Sequence, residues 1–495
     1  MNMNDGADFY DRLGIPQDAS KEEIRKAYHK AAQKLHPDVN IEAGATELFL
    51  GIKEAYEVLI DPIKRTAYDG KSEDIPPPPI RFTSLYSRDT LPWMAEEQLI
   101  YNLITMDVVA DKIEKEETSA PINVAVVMDC STSMQGRRLE VVKATAVELV
   151  RSLRAQDIFS LVEFNDRART VIPAVQYANN LKSISRIRML QTQGGTEIFK
   201  GLNLGFNEIM KNLSPYYVNH IILITDGHTY GDESHCIQLA EKCANQQIGI
   251  SCLGIGEKWN DEFLDNLANI TGGSCFYIKD PRDIQILLKQ KFNNLGNIHV
   301  EGINLSLNTG RGVELRYAFR LQPDANKLPI ESPIRLGNIP KGYQLGIVLE
   351  FLLSPISPSI QKVLLAEGSM TFTMPSQDNT QYRIPVNLSR NTSANPQQRP
   401  PNKLIIEAMS RLTLYRMQEQ ANKELESGEY QAASSRLKNM ATHFYAHGAP
   451  DLAKAALKEA KNVSKQNQIS DEGQKQIKYG TQALFLPVDN EVSNQ

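Results

Sequence analysis

The period of the apolar positions changes several times along the chain, and each change predicts a different kind of element. Ile24, Ala27, Tyr28, Ala31 and Leu35 fall at helical spacing, while Arg25, Lys26, His29, Lys30 and Lys34 fall on the opposite side. Ser20 and Glu23 have the spacing of a capping box at the start of that helix. The helix should stop at His36-Pro37, because a proline disfavours helical backbone in the residue before it. Leu48, Phe49, Ile52, Ala55, Tyr56 and Leu59 make a second amphipathic stripe, and Asp61-Pro62 opens a short third piece. From residue 80 to 118 the pattern turns strand-like, most clearly over Gln98–Val109. Residues 121–292 alternate apolar runs with helical stripes in a βαβ rhythm. Strand signals return over 295–390, at Val313–Phe319, Tyr343–Leu353, Ser369–Met374 and Tyr382–Leu388. Residues 403–460 are helical in pattern, with a helical hairpin around 425–432 and 452–457, and the polar tail 461–495 is expected to be loose.

These changes predict a multidomain chain. An all-α domain spans 8–70 and a linker 71–79, where four consecutive prolines favour an extended spacer. A doubly wound α/β domain at 121–292 is flanked by strand-rich stretches at 80–118 and 295–390, which are expected to pair into one β-sandwich with the α/β domain inserted in it. A second linker at 391–402 leads to the C-terminal helices, expected to pack against the sandwich.

Composition narrows the function classes. With 495 residues there is room for roughly three or four domains. The net charge of -5 is mild and gives no reason to expect a nucleic-acid partner. Met1 to Asp11 has neither a basic start nor an apolar run, so no secretory signal is expected. No stretch approaches the roughly 18 apolar residues of a membrane span, so no membrane partner is expected either. Cys130, Cys236, Cys243, Cys252 and Cys275 form no C-x-x-C pair and are odd in number. Reduced thiols in a cytoplasmic protein fit this better than a disulfide framework, and a Cys-based zinc module is excluded.

The helical frame at the N-terminus carries His36-Pro37-Asp38 in the loop between its two long helices. Together with DFYDRLGI, KAYHKAAQKLHPDVN and EAYEVLIDPIKRTAYD, this resembles the J-domain over residues 8–70 nearly end to end. The resemblance implies a DnaK-type chaperone as partner. The basic face of Arg25, Lys26, Lys30 and Lys34 would dock on an acidic chaperone surface, and Asp38 would reach a chaperone arginine and favour ATP hydrolysis there. Such a role needs a short carboxylate held rigidly, which Pro37 helps to provide.

A second constellation lies in the α/β region. The apolar run Ile122–Met128 ends in Asp129-Cys-Ser131-Thr-Ser133; Gly194-Gly195-Thr196 precedes a helix; His220–Thr225 ends in Asp226-Gly227. In an open parallel sheet, ligands sit beyond the carboxyl ends of the strands, so three separate loops bring hard oxygens to one edge. Asp129, Ser131, Ser133, Thr196 and Asp226 suit Mg2+ or Mn2+, and because hydroxyls outnumber carboxylates the ion keeps net positive charge and an open position. This resembles the von Willebrand A (vWA) domain and its metal-ion-dependent adhesion site, with all five positions present over about 120–290. The resemblance implies a protein client that supplies a carboxylate to the metal. Cys130 reads as a packing residue, and His228 and His235 as surface histidines.

No G-x-S-x-G, H-E-x-x-H or phosphate-loop pattern supports a hydrolase, so the chain is expected not to be an enzyme. The leading expectation is a co-chaperone that captures a client through the metal site. The alternative is a vWA scaffold or assembly subunit, such as a partner of a ring-shaped ATPase, with the J-domain as accessory.

Overall fold

A computed structural model describes residues 9–16, 19, 21–35, 51–53, 55, 56, 58–60, 78–109, 120–176, 180–227, 229, 231–375, 380–396 and 400–484. The chain forms two compact units, Met1–Pro78 and Pro79–Gln495.

In the first unit, α1 (Phe9–Leu13) precedes α2 (Lys21–Leu35), and residues 51–53, 55, 56, 58 and 59 are also helical. The apolar stripe has the consequence its spacing predicts: Ile24 is buried with Tyr10, Leu13, Ile52, Ala55 and Leu59, and the rings of Tyr28 and Tyr56 stack 4.1 Å apart. Arg25, Lys26 and Lys30 stand exposed on the other side of α2. Ser20, His36, Pro37, Asp38 and the side chain of Lys34 lie outside the described residues.

The second unit begins with β1 (Ile80–Tyr86), β2 (Thr90–Pro92) and β3 (Gln98–Val108). The α/β domain follows as β4 (Ile122–Asp129), α3 (Arg137–Ser152), β5 (Ile158–Phe164), β6 (Ala168–Gln176), α4 (Leu181–Arg188), α5 (Ile198–Met210), β7 (Val218–Thr225), α6 (Glu233–Asn245), β8 (Gly249–Ile255), α7 (Asp261–Ile270), β9 (Cys275–Ile278) and α8 (Pro281–Gly296). Its sheet runs β6-β5-β4-β7-β8-β9, parallel except for the β5–β6 pair. Every residue of β4 and β7 is buried, as expected of strands covered on both faces. Val124, Val126 and Met128 face the core that includes Leu139 and Val142 of α3 and Leu288 of α8. Ala125 and Val127 face Leu202 of α5 and Leu239 of α6. The sheet is therefore doubly wound.

The chain then returns to strands: β10 (Ile298–Thr309), β11 (Val313–Gln322), β12 (Asn326–Leu328), β13 (Ile334–Pro340), β14 (Leu345–Leu353), β15 (Lys362–Met374) and β16 (Thr380–Ser393). Two five-stranded sheets result, β1-β3-β14-β11-β12 and β13-β10-β15-β16-β2. β3 pairs with β14 from Gln98↔Leu353 to Met106↔Leu345, and β2 pairs with β16. Ile100, Ile104 and Met106 from one sheet share a core with Leu305, Met370 and Phe372 from the other. Each sheet thus draws strands from both sides of the α/β domain. β16 continues to Ser393, so the segment expected as linker from 391 starts in a strand.

The largest departure from expectation is at the C-terminus. Four helices form, α9 (Lys403–Glu426), α10 (Tyr430–Ala446), α11 (Pro450–Gln466) and α12 (Asp471–Ala483), so the expected loose tail from 461 is helical to Gln466 and again over Asp471–Ala483. The polar composition concealed this, because α12 docks through long amphipathic side chains. Lys478 pairs with Asp261 at 2.5 Å and Asp265 at 2.6 Å, Tyr479 donates to Asp265 at 3.1 Å, and Tyr479 enters the core under α6 and α7. α9 lies on the outer face of the first β-sheet, where Ile405, Leu412 and Tyr415 pack on Leu103, Phe319 and Val348.

One side chain joins the α/β domain to the sheets beside it. Arg320, at 2% exposure, donates to the carbonyls of Gly272 (2.9 Å) and Gly273 (2.9 Å) after α7, and to those of Leu336 (2.7 Å) and Asp324 (2.9 Å) in the β-sheet region. Burying a guanidinium is tolerated here because its donors are met by fixed carbonyls. Replacing it with methionine keeps the apolar stem and orphans these acceptors, each costing about 1–3 kcal/mol when buried. Urea unfolding of the full chain should therefore show Arg320→Met destabilised by roughly 3 kcal/mol or more. A shift below about 1 kcal/mol would mean water replaces the guanidinium and the tie is dispensable.

Candidate metal centre

Because β4 and β7 are parallel neighbours with Met128 opposite Ile224, both strands end at the same level. Asp129 closes β4 and Asp226 directly follows β7, and both are buried, at 0% and 1% exposure. Ser131 and Ser133 lie in the loop after β4, where a short 3-10 turn spans Thr132–Met134. Thr196 precedes α5, and its hydroxyl lies 3.1 Å from where a Cβ on Gly227 would sit, beside Asp226. All five predicted ligands thus come to one edge of the sheet.

A chain of hydrogen bonds runs through four of them, Asp129, Ser131, Ser133 and Asp226. The Ser131 amide donates to Asp129 Oδ1 at 2.8 Å, and the Ser131 and Ser133 hydroxyls are 2.9 Å apart. Ser133 donates to Asp226 Oδ1 at 2.6 Å. The first loop is tied to the second by Thr132, whose amide and hydroxyl donate to the Gly194 carbonyl at 3.2 and 2.9 Å. Gly194 sits at φ +70°, and a Cβ there would come within 2.5 Å of Asp166 Oδ1, so this corner requires glycine.

Three contributors lie outside the five predicted ligands. Thr225, buried at the end of β7, donates to Asp129 Oδ2 at 2.6 Å. Thr132 holds the loops together, as above. Arg138, in the first turn of α3, donates to Asp226 Oδ2 at 2.5 Å. Thr225 could have been suspected from its place beside Asp226 at a strand end; the others depend on how the loops fold back.

The electrostatics suit a hard cation. Burial lifts the Asp129 carboxyl from 3.8 to about 6, against the hydrogen bonds from Thr225 and Ser131, and nearby Asp226 adds to the rise. Two buried carboxylates with three hydroxyls beside them form an oxygen-only donor set, the kind that suits Mg2+ or Mn2+. Cys130 is buried and its thiol is pushed up to about 12 by desolvation, consistent with a packing role. His228 lies outside the described residues; His235 is exposed, its ring 5.3 Å from Phe199. All five cysteines are free and buried. No helix among the described residues is long and apolar enough to cross a membrane.

Comparison with known proteins places these features. The DnaJ domain model matches residues 8–69, the von Willebrand factor type A domain model residues 123–290, and the model of the Sll0103-like C-terminal alpha-helical domain residues 403–487. The Synechocystis protein sll0103 is 27% identical over 345 residues, which cover 67% of this chain and 81% of that protein. The chaperone protein DnaJ of Streptococcus agalactiae is 56% identical over 62 residues, 12% of this chain and only 17% of that one. A von Willebrand factor type A structure from Catenulispora acidiphila shares the fold with TM-score 0.65 at 15% identity, covering 82% of this chain and 96% of that one. The ArnB paralogue VWA2 from Sulfolobus acidocaldarius does so with TM-score 0.55 at 13% identity, covering 83% and 100%. The chain therefore joins a J-domain to a von Willebrand factor type A domain, followed by a C-terminal helical domain of the Sll0103-like kind.

Proposed function

We propose that this chain is a cytoplasmic co-chaperone that stimulates a DnaK-type ATPase through its J-domain and holds a protein client at a divalent-metal site of its vWA domain. The observation that carries the reading is the presence, in one chain, of a J-domain and an oxygen-lined edge where Asp129, Ser131, Ser133, Thr196 and Asp226 meet. A J-domain implies an Hsp70-type partner. Arg25, Lys26 and Lys30 are exposed along α2 and would meet an acidic chaperone surface together with Lys34. His36, Pro37 and Asp38 would then present the carboxylate that biases the partner toward hydrolysis. Both domains are adaptors, so the reaction belongs to the partner.

At the other site, Asp129 and Asp226 would supply the charge that holds Mg2+ or Mn2+, and the three hydroxyls would complete the set without neutralising it. The bound ion would supply an electrophilic position for a client carboxylate. Without it, Asp129 and Asp226 repel such a group. The chain's own residues thus make client capture metal-linked, whereas the J-domain motif needs no metal. The proline-rich 71–79 segment would keep a captured client near the chaperone and raise its effective concentration.

Three outcomes follow. Asp38→Asn should abolish stimulation of DnaK ATPase turnover with circular dichroism unchanged; undiminished stimulation would remove the J-domain from the mechanism. EDTA, or Asp129→Ala, should abolish client capture in a pull-down while ATPase stimulation persists, and Mg2+ should restore capture to the wild type only. Loss of both activities together would mean that the ion is structural.

The third outcome concerns pH. The Asp129 carboxyl is raised in the metal-free fold, so the stability its protonation contributes is present below about 3.8 and lost as pH rises through about 6. Metal needs the carboxylate. The rise in melting temperature on adding Mg2+ should therefore be small at pH 5 and larger at pH 7.5. An equal rise at both would show that Asp129 does not ligate the ion.

A further inference from the structure

Arg138 stands where a cation is electrostatically out of place. It lies with Arg137 in the first turn of α3, the end of a helix that favours negative charge. Its side chain nevertheless has a defined seat. Nη1 donates to Asp226 Oδ2 at 2.5 Å and reaches the Ser133 carbonyl at 3.4 Å. The guanidinium also lies against Gly256, just past β8, where a Cβ would come within 2.7 Å of Nη2. Any side chain at 256 would displace the arginine, and the φ of +73° at that position already favours glycine.

The partner of this guanidinium is itself one of the five site oxygens. Asp226 is 0% exposed at its side chain while Arg138 remains 38% exposed. Asp226 is thus held from both sides, Oδ1 by Ser133 and Oδ2 by Arg138. A divalent ion drawing on Asp226 would sit within a few ångströms of the guanidinium as long as the pair is closed, and like charges at that range repel strongly in a partly desolvated site.

We propose that Arg138 is a resident counter-cation of the site: it holds Asp226 in place without metal and gives up that contact when a divalent ion binds, and so sets the site's metal affinity. This rests on the metal reading above. The side chain is partly exposed and hydrogen-bonded to the site only through Nη1, so once those bonds are given up it can swing outward without disturbing the core. The pair keeps the buried carboxylate neutralised and the loops of Ser133 and Asp226 together in the metal-free protein, at the expense of weaker metal binding. A site built this way responds to the concentration of free ion instead of retaining it permanently.

The test is the affinity of the full chain for Mn2+, read from the electron paramagnetic resonance of free Mn2+ in a titration, for the wild type, Arg138→Gln, Arg138→Lys and Asp129→Ala. Arg138→Gln should bind Mn2+ roughly tenfold more tightly, a change of about 1.4 kcal/mol. Arg138→Lys, which keeps the charge, should stay near wild type, and Asp129→Ala should not bind. A gain in affinity cannot come from a misfolded variant, so this readout separates the proposal from simple damage. Equal or weaker binding by Arg138→Gln overturns the counter-cation role and leaves the metal site intact. No Mn2+ bound by any form, wild type included, overturns the metal reading and this inference with it.

Discussion

Arg320 holds the junction on which the arrangement of residues 79–484 depends. Its guanidinium is buried between the turn after α7 and the strands that follow the α/β domain, with carbonyls from both sides as acceptors. Asp324 reinforces the same junction, taking bonds from Ser274 at 2.7 Å and from Lys291 at 2.6 Å. An inserted domain held only by its two chain crossings would be free to rock. Here directional bonds to backbone fix it, because each carbonyl left unmet in that closed space would be costly. The junction lies at the edge formed by the turn before β9, away from the strand ends that carry Asp129 and Asp226.

With the host sheets fixed, the candidate metal centre is free to be built from loops. β4 and β7 end side by side because they are parallel and in register, which delivers two buried aspartates to one place. The hydroxyls arrive from loops that must be held by other means, and Thr132 and Gly194 do this with backbone contacts. Thr225 orients Asp129, and Arg138 balances Asp226. The rigid sheet supplies position and the loops supply chemistry, a division that follows from where open parallel sheets leave their strand ends.

The C-terminal helices serve both parts of the unit. α9 covers an apolar sheet face through Phe319 and Tyr415, whose rings are 4.7 Å apart, while α12 reaches the α/β domain. There Tyr479 joins Trp259 and Tyr277 in an aromatic cluster with ring separations of 5.7 to 6.4 Å. Lys478 is almost fully buried yet keeps its charge, raised above the ordinary lysine value by Asp265 and Asp261 against the cost of burial. The helices therefore lock onto surfaces that the sheets alone would leave uncovered.

The sequence by itself determined what depends on local periodicity and on short motifs. The helical stripe of Ile24 and Tyr28, the doubly wound domain begun by Ile122–Met128, and the convergence of Asp129, Ser131, Ser133, Thr196 and Asp226 were all legible. Parallel strand ends bring such residues together whatever the loop details. What only the tertiary structure decided are contacts between residues far apart in the chain. Arg138 on Asp226, Thr225 on Asp129 and Arg320 across the domain junction leave no periodic trace. The same holds for 461–483, which reads as a polar tail because, beside Val463 and Ile477, its buried side chains include Lys475, Lys478, Tyr479 and Thr481, which carry polar groups. Lys475, Lys478 and Tyr479 become interior because the Glu257 carbonyl and the carboxylates of Asp261 and Asp265 wait on the surface they meet. Polarity marks a residue as exposed only when nothing complementary is brought to face it, and that is settled by the fold.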